Sequence, residues 1–272
     1  MTELQALRDA YRQHKAALLA SLQAQGASTR GIHVLLRKFS RLADGLLTTL
    51  WQRAGLPPGL TLAAVGGFGR EQLFPHSDID VLVLQPTDLP APDTVREQVE
   101  AFIRSCWDAG LEIGSSVRSV EECLSEAAND VTVQTSLLEA RRICGDAALF
   151  ARFEHQFGAQ LDPHAFLVAK TLEMRQRHTK HENTPYALEP NCKESPGGLR
   201  DLHLILWVAR AAGLGKRWDE LAHSGLATPY EVRQIQRNEA LLFLIRARLH
   251  AMAGRREDRL VFDLQTAVAE SF

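Results

Sequence analysis

Apolar residues recur at helical spacing at the start of the chain. Residues 3–25, and a second segment that runs to about Arg53, carry apolar side chains three or four positions apart, which predicts two amphipathic helices. We expect Ser28 or Thr29 to cap the second helix. The sequence GLPPG at residues 55–59 cannot continue a helix, so it ends this N-terminal pair.

After this stop, the apolar positions form short continuous runs of the kind found in buried strands. Strands are predicted at residues 62–65, 79–84 and 111–117, and a fourth is proposed at residues 137–143. A helix at residues 93–109, with Asp93 as its N-cap, separates the second and third strands.

Helical spacing returns after residue 146, and no further strand is predicted. Helices are expected at residues 146–157, 163–181, 198–212 and 228–253, and residues 262–270 also have a helical pattern. The expected fold class is therefore α+β, with a small mixed sheet followed by an all-helical domain. The expected segments are N-terminal helices at 1–57, a sheet-containing core at 58–146 and the helical domain at 147–272. Because the last helical pattern stops abruptly, we expect the chain to be a fragment of a longer protein.

Composition narrows the class of protein. The chain has 272 residues and a net charge of −2 at pH 7, which argues against a sequence-indifferent nucleic-acid binder. No apolar run approaches the roughly 20 residues that span a bilayer, and the first residues do not form an export signal. The cysteines are scattered without a CxxC pair, as in reduced cytoplasmic proteins: Cys106, Cys123, Cys144 and Cys192. We expect a cytoplasmic protein that binds neither membranes nor nucleic acids.

Charge is distributed unevenly along the chain. Residues 1–163 carry 20 acidic and 15 basic side chains, whereas residues 164–259 carry 11 acidic and 16 basic ones. Such a division suits a cleft that binds a metal ion on one side and phosphates on the other, although it also arises by chance.

Two carboxylates at the start of the second predicted strand carry the strongest chemical signal. Residues two apart in a strand point to the same face, so Asp78 and Asp80 are expected to converge. The repulsion between them would be relieved by a hard divalent cation. Mg²⁺ prefers oxygen ligands and commonly takes one or two carboxylates together with substrate phosphates.

A glycine pair after the first predicted strand is a candidate for binding the phosphates that accompany such a metal ion. Gly66 and Gly67 follow the first predicted strand, and glycines there let a phosphate approach the backbone closely. The segment lacks the third glycine of a dinucleotide-binding loop, and the chain contains no GK[ST] sequence, which excludes the usual P-loop. Either feature alone could be structural, as a tight turn or a solvated strand end. Together, with ten residues between Gly67 and Asp78, they indicate a nucleotide site.

This arrangement resembles the nucleotidyltransferase superfamily with a polymerase-beta-like core. The longer string GGFGREQLFPHSDIDVLVL at residues 66–84 resembles the N-terminal domain of the bacterial PII uridylyltransferase family, whose members both transfer and remove uridylyl groups. YALEPNCKESPGGLRDLH at residues 186–203 and RREDRL at residues 255–260 resemble further segments of that family. The resemblance implies transfer of UMP from UTP to a tyrosine of the PII signal protein, with release of pyrophosphate and with Mg²⁺ or Mn²⁺ as cofactor.

The resemblance also implies roles for individual acidic residues. Asp78 and Asp80 would hold the metal ions, and a third carboxylate on a neighbouring strand would complete the catalytic set. Glu139 is the candidate for this third position and Glu112 is the second choice. The competing interpretation of Glu139 is a plain ion pair with the adjacent Arg141 or Arg142.

Four further residues are candidates for binding the nucleotide. Ser77 could bond a phosphate or cap the turn before the strand. Arg70 could reach the triphosphate or be a solvated residue of a short helix at residues 69–74. Lys193 and Arg200 lie near a predicted helix N-terminus, which favours anions, yet Arg200 could equally brace its own loop.

Departures from the family pattern limit the expected activity. Removal of UMP in the family depends on a His-Asp dyad, and no His is followed directly by Asp in this sequence. We therefore expect the transferase activity without the hydrolase and sensor domains. The alternatives are an inactive scaffold that binds PII, or an adenylyl-transferring relative.

Overall fold

The computed structural model describes residues 2–23, 29–88 and 92–272. These form two compact units. Unit 1 contains Met1–Leu18, Leu36–Leu73 and Ser77–Gln160, and unit 2 contains Leu19–Leu35, Phe74–His76 and Leu161–Phe272. No helix among the described residues is both long and apolar enough to cross a membrane.

Unit 1 is built on a mixed four-stranded sheet with the order β3-β2-β1-β4. Its strands are β1 (Thr61–Ala64), β2 (Ile79–Gln85), β3 (Ile113–Ser119) and β4 (Arg141–Gly145). β1 is antiparallel to both of its neighbours, whereas β2 and β3 are parallel. Every residue of β1 is buried, as expected for an apolar central strand.

Helices surround this sheet in unit 1. They are α1 (Glu3–Gln23), α2 (Ile32–Arg53), α3 (Gly66–Gly69), α4 (Pro92–Asp108), α5 (Val120–Asn129), α6 (Val131–Leu138) and α7 (Ala147–Gln160), although α1 ends and α2 begins in unit 2. Ser119 begins α5 with a complete capping box. Asp130 then caps α6 through two backbone amides, so α5 and α6 follow one another with a single residue between them.

Unit 2 is all-helical. Its elements are α8 (Pro163–Lys180), α9 (Leu199–Ala211), α10 (Trp218–His223), α11 (Pro229–Ala253) and α12 (Phe262–Glu270). Asp258 links the long helix α11 to the segment that follows it, because its carboxylate accepts a bond from Arg246 Nε at 2.6 Å and lies 3.1 Å from His250 Nε2. The backbone oxygen of Asp258 accepts the Cys192 N–H, which attaches the loop before α9 to the same point.

The expected α+β fold class with a small mixed sheet is confirmed, but several local predictions are wrong. The fourth strand was expected at residues 137–143 and lies at Arg141–Gly145, because Leu137 and Leu138 end α6. Helices α5, α6 and α10 were not predicted. The short helix expected at residues 69–74 lies instead at Gly66–Gly69. Ser28, and the last two residues of the first predicted helix, lie outside the described residues.

Candidate active site

The turn after β1 comes close to the Asp80 carboxylate of β2. β1 and β2 pair with Ala64 opposite Val81, and Val65 N–H donates to the Asp80 carbonyl at 3.0 Å. The chain then turns at Gly66 with φ +55°, a left-handed conformation that favours glycine. A Cβ atom on Gly66 would lie 3.8 Å from Asp80 Oδ2. The glycine pair and the DxD segment that stand out in the sequence are therefore neighbours in the structure, through Gly66 and Asp80.

Exposed and buried residues alternate where β2 begins. Asp78 and Asp80 are exposed, whereas Ile79 between them is only 3% exposed. This alternation is what a strand with one buried face produces. The convergence of the two carboxylates on one site stays a prediction.

On the other side of β2, the Asp80 carboxylate lies against a glycine of β3. The parallel pairing sets Asp80 opposite Gly114 of β3. A Cβ atom on Gly114 would lie only 2.7 Å from Asp80 Oδ1, closer than such contacts occur, so the carboxylate occupies space that only glycine leaves open. Ser136 of α6 lies on the side of Gly66, with its Oγ 3.9 Å from the Cβ position of that glycine.

Sequence reasoning did not identify Gly114 or Ser136. Gly114 could have been found only with the β2–β3 register, and Ser136 lies in a helix that was not predicted.

The donor set fits a hard divalent cation. Asp78 and Asp80 are two exposed carboxylates separated by one residue, and the adjacent turn carries glycines in place of side chains. Within the described residues, no group of three or more His, Cys, Asp or Glu side chains is arranged to hold a metal ion. Asp78 and Asp80 are the residues that would hold such an ion, since Mg²⁺ commonly takes one or two carboxylates together with substrate phosphates.

Glu139 has a different environment from the one its sequence position suggested. It is the C-cap residue of α6, not a strand residue, and it is 5% exposed. Its Oε2 accepts a bond from Arg70 Nη1 at 2.6 Å, while the adjacent Arg141 makes a two-bond ion pair with Asp44. The expected pairing of Glu139 with Arg141 or Arg142 is thus replaced by a pairing with a residue far away in sequence. Its role as a third catalytic carboxylate stays a prediction.

Glu112 lies directly before β3 and is exposed. Its carbonyl accepts the Ile79 N–H at 2.9 Å, so it is fixed at the start of β2. Its carboxylate acts on α1: burial and then the charge of Glu112 raise the pKa of Tyr11 to about 12.

The remaining predicted site residues fall in both units. Ser77 is half-buried and directly precedes Asp78 in unit 1. Arg70, also in unit 1, is half-buried rather than fully solvated, and its Nη2 lies 3.7 Å from the position of a Cβ on Gly67. Lys193 and Arg200 belong to unit 2.

In unit 2, Lys193 and Arg200 share one acidic partner. Arg200 Nη2 lies 3.1 Å and Lys193 Nζ 3.5 Å from Glu194 Oε1. Arg200 therefore does brace its own loop, as the competing interpretation holds. Burial, followed by the charges of Arg200 and Arg246, lowers the pKa of Lys193 to about 8. The charges of Glu194 and Asp258 oppose this lowering, so the basic residues here already have acidic partners.

Comparisons with known proteins cover nearly the whole chain. The family model described as GlnD PII-uridylyltransferase matches residues 165–272. A bifunctional uridylyltransferase/uridylyl-removing enzyme of Burkholderia mallei is 59% identical over 256 residues, 94% of this chain and 30% of that relative. A protein of the same description from Burkholderia pseudomallei is 58% identical over the same length and the same shares of both chains.

The resemblance to the PII uridylyltransferases is confirmed. The chain spans 30% of the length of these curated relatives. The family model covers the segment of unit 2 that contains Lys193 and Arg200, and the paired carboxylates lie outside the residues that it matches.

Proposed function

We propose that the chain carries the nucleotidyltransferase activity of this family: transfer of UMP from UTP to a tyrosine hydroxyl of the PII signal protein, with release of pyrophosphate. The observation that carries the proposal is the Asp80 carboxylate, exposed on the central strand β2 between Gly66 and Gly114. On the Gly66 side the turn carries no side chain, which leaves room beside this carboxylate for a bound ion and phosphate, whereas on the Gly114 side the carboxylate itself occupies the space.

Different residues would bind the metal ion and the phosphates. Asp78 and Asp80 would hold Mg²⁺ or Mn²⁺, which when bound would neutralise charge on the triphosphate. Gly66 and Gly67 are in the first turn of α3, where N–H groups have no acceptor within the helix, and they would face the phosphates.

Polar and basic side chains would complete the nucleotide contacts. Ser77 and Arg70 would add hydrogen bonds to phosphate. A role of Lys193 and Arg200 in nucleotide binding stays a prediction, because both residues belong to unit 2. In this type of reaction, the hydroxyl oxygen bonds to the α-phosphorus as the bond to pyrophosphate breaks. Catalysis then depends mainly on positioning and charge.

The test is transfer of labelled UMP from UTP to PII in the presence of Mg²⁺. Asp80→Asn should lower the rate by about 10³-fold or more, which corresponds to about 4 kcal/mol of transition-state stabilisation. Asp88→Asn is the matched control, because Asp88 is an exposed aspartate beyond the other end of the same strand. Its rate should equal that of the wild type.

Three results would count against the proposal in different ways. No labelling of PII with any divalent metal would favour a scaffold that binds PII without modifying it. Full activity of Asp80→Asn would place the site elsewhere. Preferential use of ATP would overturn the choice of base and leave nucleotidyl transfer in place.

A further inference from the structure

The buried Glu139–Arg70 pair lies next to the Gly66–Gly67 turn. Glu139 is 5% and the Arg70 side chain 19% exposed, and Arg70 Nη1 lies 2.6 Å from Glu139 Oε2. A buried carboxylate at this distance from a guanidinium is a strong, charge-assisted partner. Removing either member would leave the other charge buried without compensation.

The three nitrogen atoms of the Arg70 guanidinium have distinct surroundings. Nη1 donates to Glu139, and Nε donates to Gln72 Oε1 at 2.9 Å. Nη2 points to the glycine turn, 3.7 Å from where a Cβ of Gly67 would be. Because a guanidinium is planar and rigid, fixing two of its nitrogens fixes the direction of the third.

The backbone at Glu139 also contacts α3. A Cβ on Gly69 would lie 2.1 Å from the Glu139 carbonyl oxygen, so the end of α3 and the end of α6 touch through their backbones. Arg141, two residues later, donates to the carbonyls of Gly69 and Phe68. The segment that begins at Glu139 therefore sets the position of the turn as well as that of Arg70.

We propose that Glu139 is a positioning residue, which holds Arg70 beside the Gly66–Gly67 turn so that Arg70 can bind the triphosphate of the nucleotide. This inference rests on the proposed function. It differs from the role expected from the sequence, in which Glu139 would be a third catalytic carboxylate. The observation that favours it is the ion pair itself, in which the buried Glu139 carboxylate lies 2.6 Å from the Arg70 guanidinium.

The two roles predict different kinetics for Glu139→Gln. As a positioning residue, Glu139 affects nucleotide binding through Arg70. The variant should raise both the KM and the equilibrium Kd for UTP by about tenfold, the order expected for one charge-assisted hydrogen bond. The Mg²⁺ concentration that gives half-maximal rate should not change. Asp80→Asn, measured in parallel, should instead lower kcat and change the metal requirement.

A double-mutant cycle with Arg70→Met provides a second readout. If Glu139 acts only through Arg70, adding Glu139→Gln to Arg70→Met should weaken UTP binding no further. Arg70→Lys keeps the charge but loses the planar fork, so it should reproduce the tenfold weakening with Glu139 intact. This third variant tests the proposal even where Glu139→Gln does not fold.

The overturning results are distinct from failure of the proposed function. Glu139→Gln would overturn the inference by behaving like Asp80→Asn, with a lower kcat and a shifted metal requirement. Unchanged UTP binding in Glu139→Gln or Arg70→Lys would overturn it equally. In each case the wild type would still transfer UMP, whereas an inactive wild type would refute the proposed function itself.

Discussion

Gly114→Ala moves the Asp80 carboxylate without removing it. The added Cβ would lie 2.7 Å from Asp80 Oδ1 and 3.9 Å from its Cγ, and no other described atom outside the neighbouring residues lies within 4 Å. Gly114 does not have a positive φ, so alanine can adopt its backbone conformation. The substitution therefore acts on one carboxylate and on little else.

The size of the effect follows from this distance. Ordinary contact begins at 3.4 Å, so the carboxylate must shift by about 0.7 Å. A misplacement of about 1 Å at a reacting centre can cost about 10²-fold in rate. We expect kcat to fall by roughly that factor, which corresponds to about 2.7 kcal/mol.

The assay is transfer of labelled UMP to PII, combined with urea unfolding of each variant. Gly45→Ala is the matched control, because Gly45 lies in α2 with no atom within 4 Å of its Cβ position. The control should keep the wild-type rate. Gly114→Ala should lose rate while its free energy of unfolding stays within about 1 kcal/mol of the wild type.

Wild-type kcat in Gly114→Ala would refute the reasoning. It would show that the position of the Asp80 carboxylate does not matter to the reaction, and the glycine on β3 would then have no connection with activity. A loss of rate that only follows a loss of stability would refute it equally.

Two further predictions concern stability. Gly69→Ala would place a Cβ 2.1 Å from a backbone oxygen, and should lower the free energy of unfolding by about 3 kcal/mol in urea, whereas Gly158→Ala, with open space, should raise it by about 0.5–1 kcal/mol. Asp258→Asn should cost about 3 kcal/mol at neutral pH. Burial opposes the charge of Asp258, yet His250 and Arg246 hold its pKa below the ordinary 3.8. Its stabilisation is therefore complete above about pH 4 and lost as pH falls, so the unfolding free energies of variant and wild type should converge in acid; a constant difference would contradict this.

The sequence was informative where the relevant geometry is local. The convergence of Asp78 and Asp80 depends only on the period of two in a strand, and the apolar run around them identifies that strand. The proximity of Gly66 to Asp80 required one more step, the pairing of β1 with β2, which the structure supplies.

The sequence was misleading where contacts with distant residues determine the secondary structure and the ion pairs. Residues 131–138, VTVQTSLL, are rich in β-branched residues, yet they form α6 because Asp130 caps them directly after α5. The error displaced the fourth strand and put Glu139 on it. Glu139 was then assigned the nearest basic residues as partners, whereas Arg70, 69 residues earlier, is the one that it meets.

Burial separates the acidic residues of the site into two kinds. Asp78 and Asp80 are exposed, so they can take up a cation with little change in the surrounding protein. Glu139 is 5% exposed and paired with a guanidinium that is itself largely buried. Turning Glu139 towards a metal ion would leave that guanidinium without its partner, at a cost of several kcal/mol. The structure therefore favours Glu139 as the partner of an arginine, and the proposed cation site would need only the exposed carboxylates of Asp78 and Asp80.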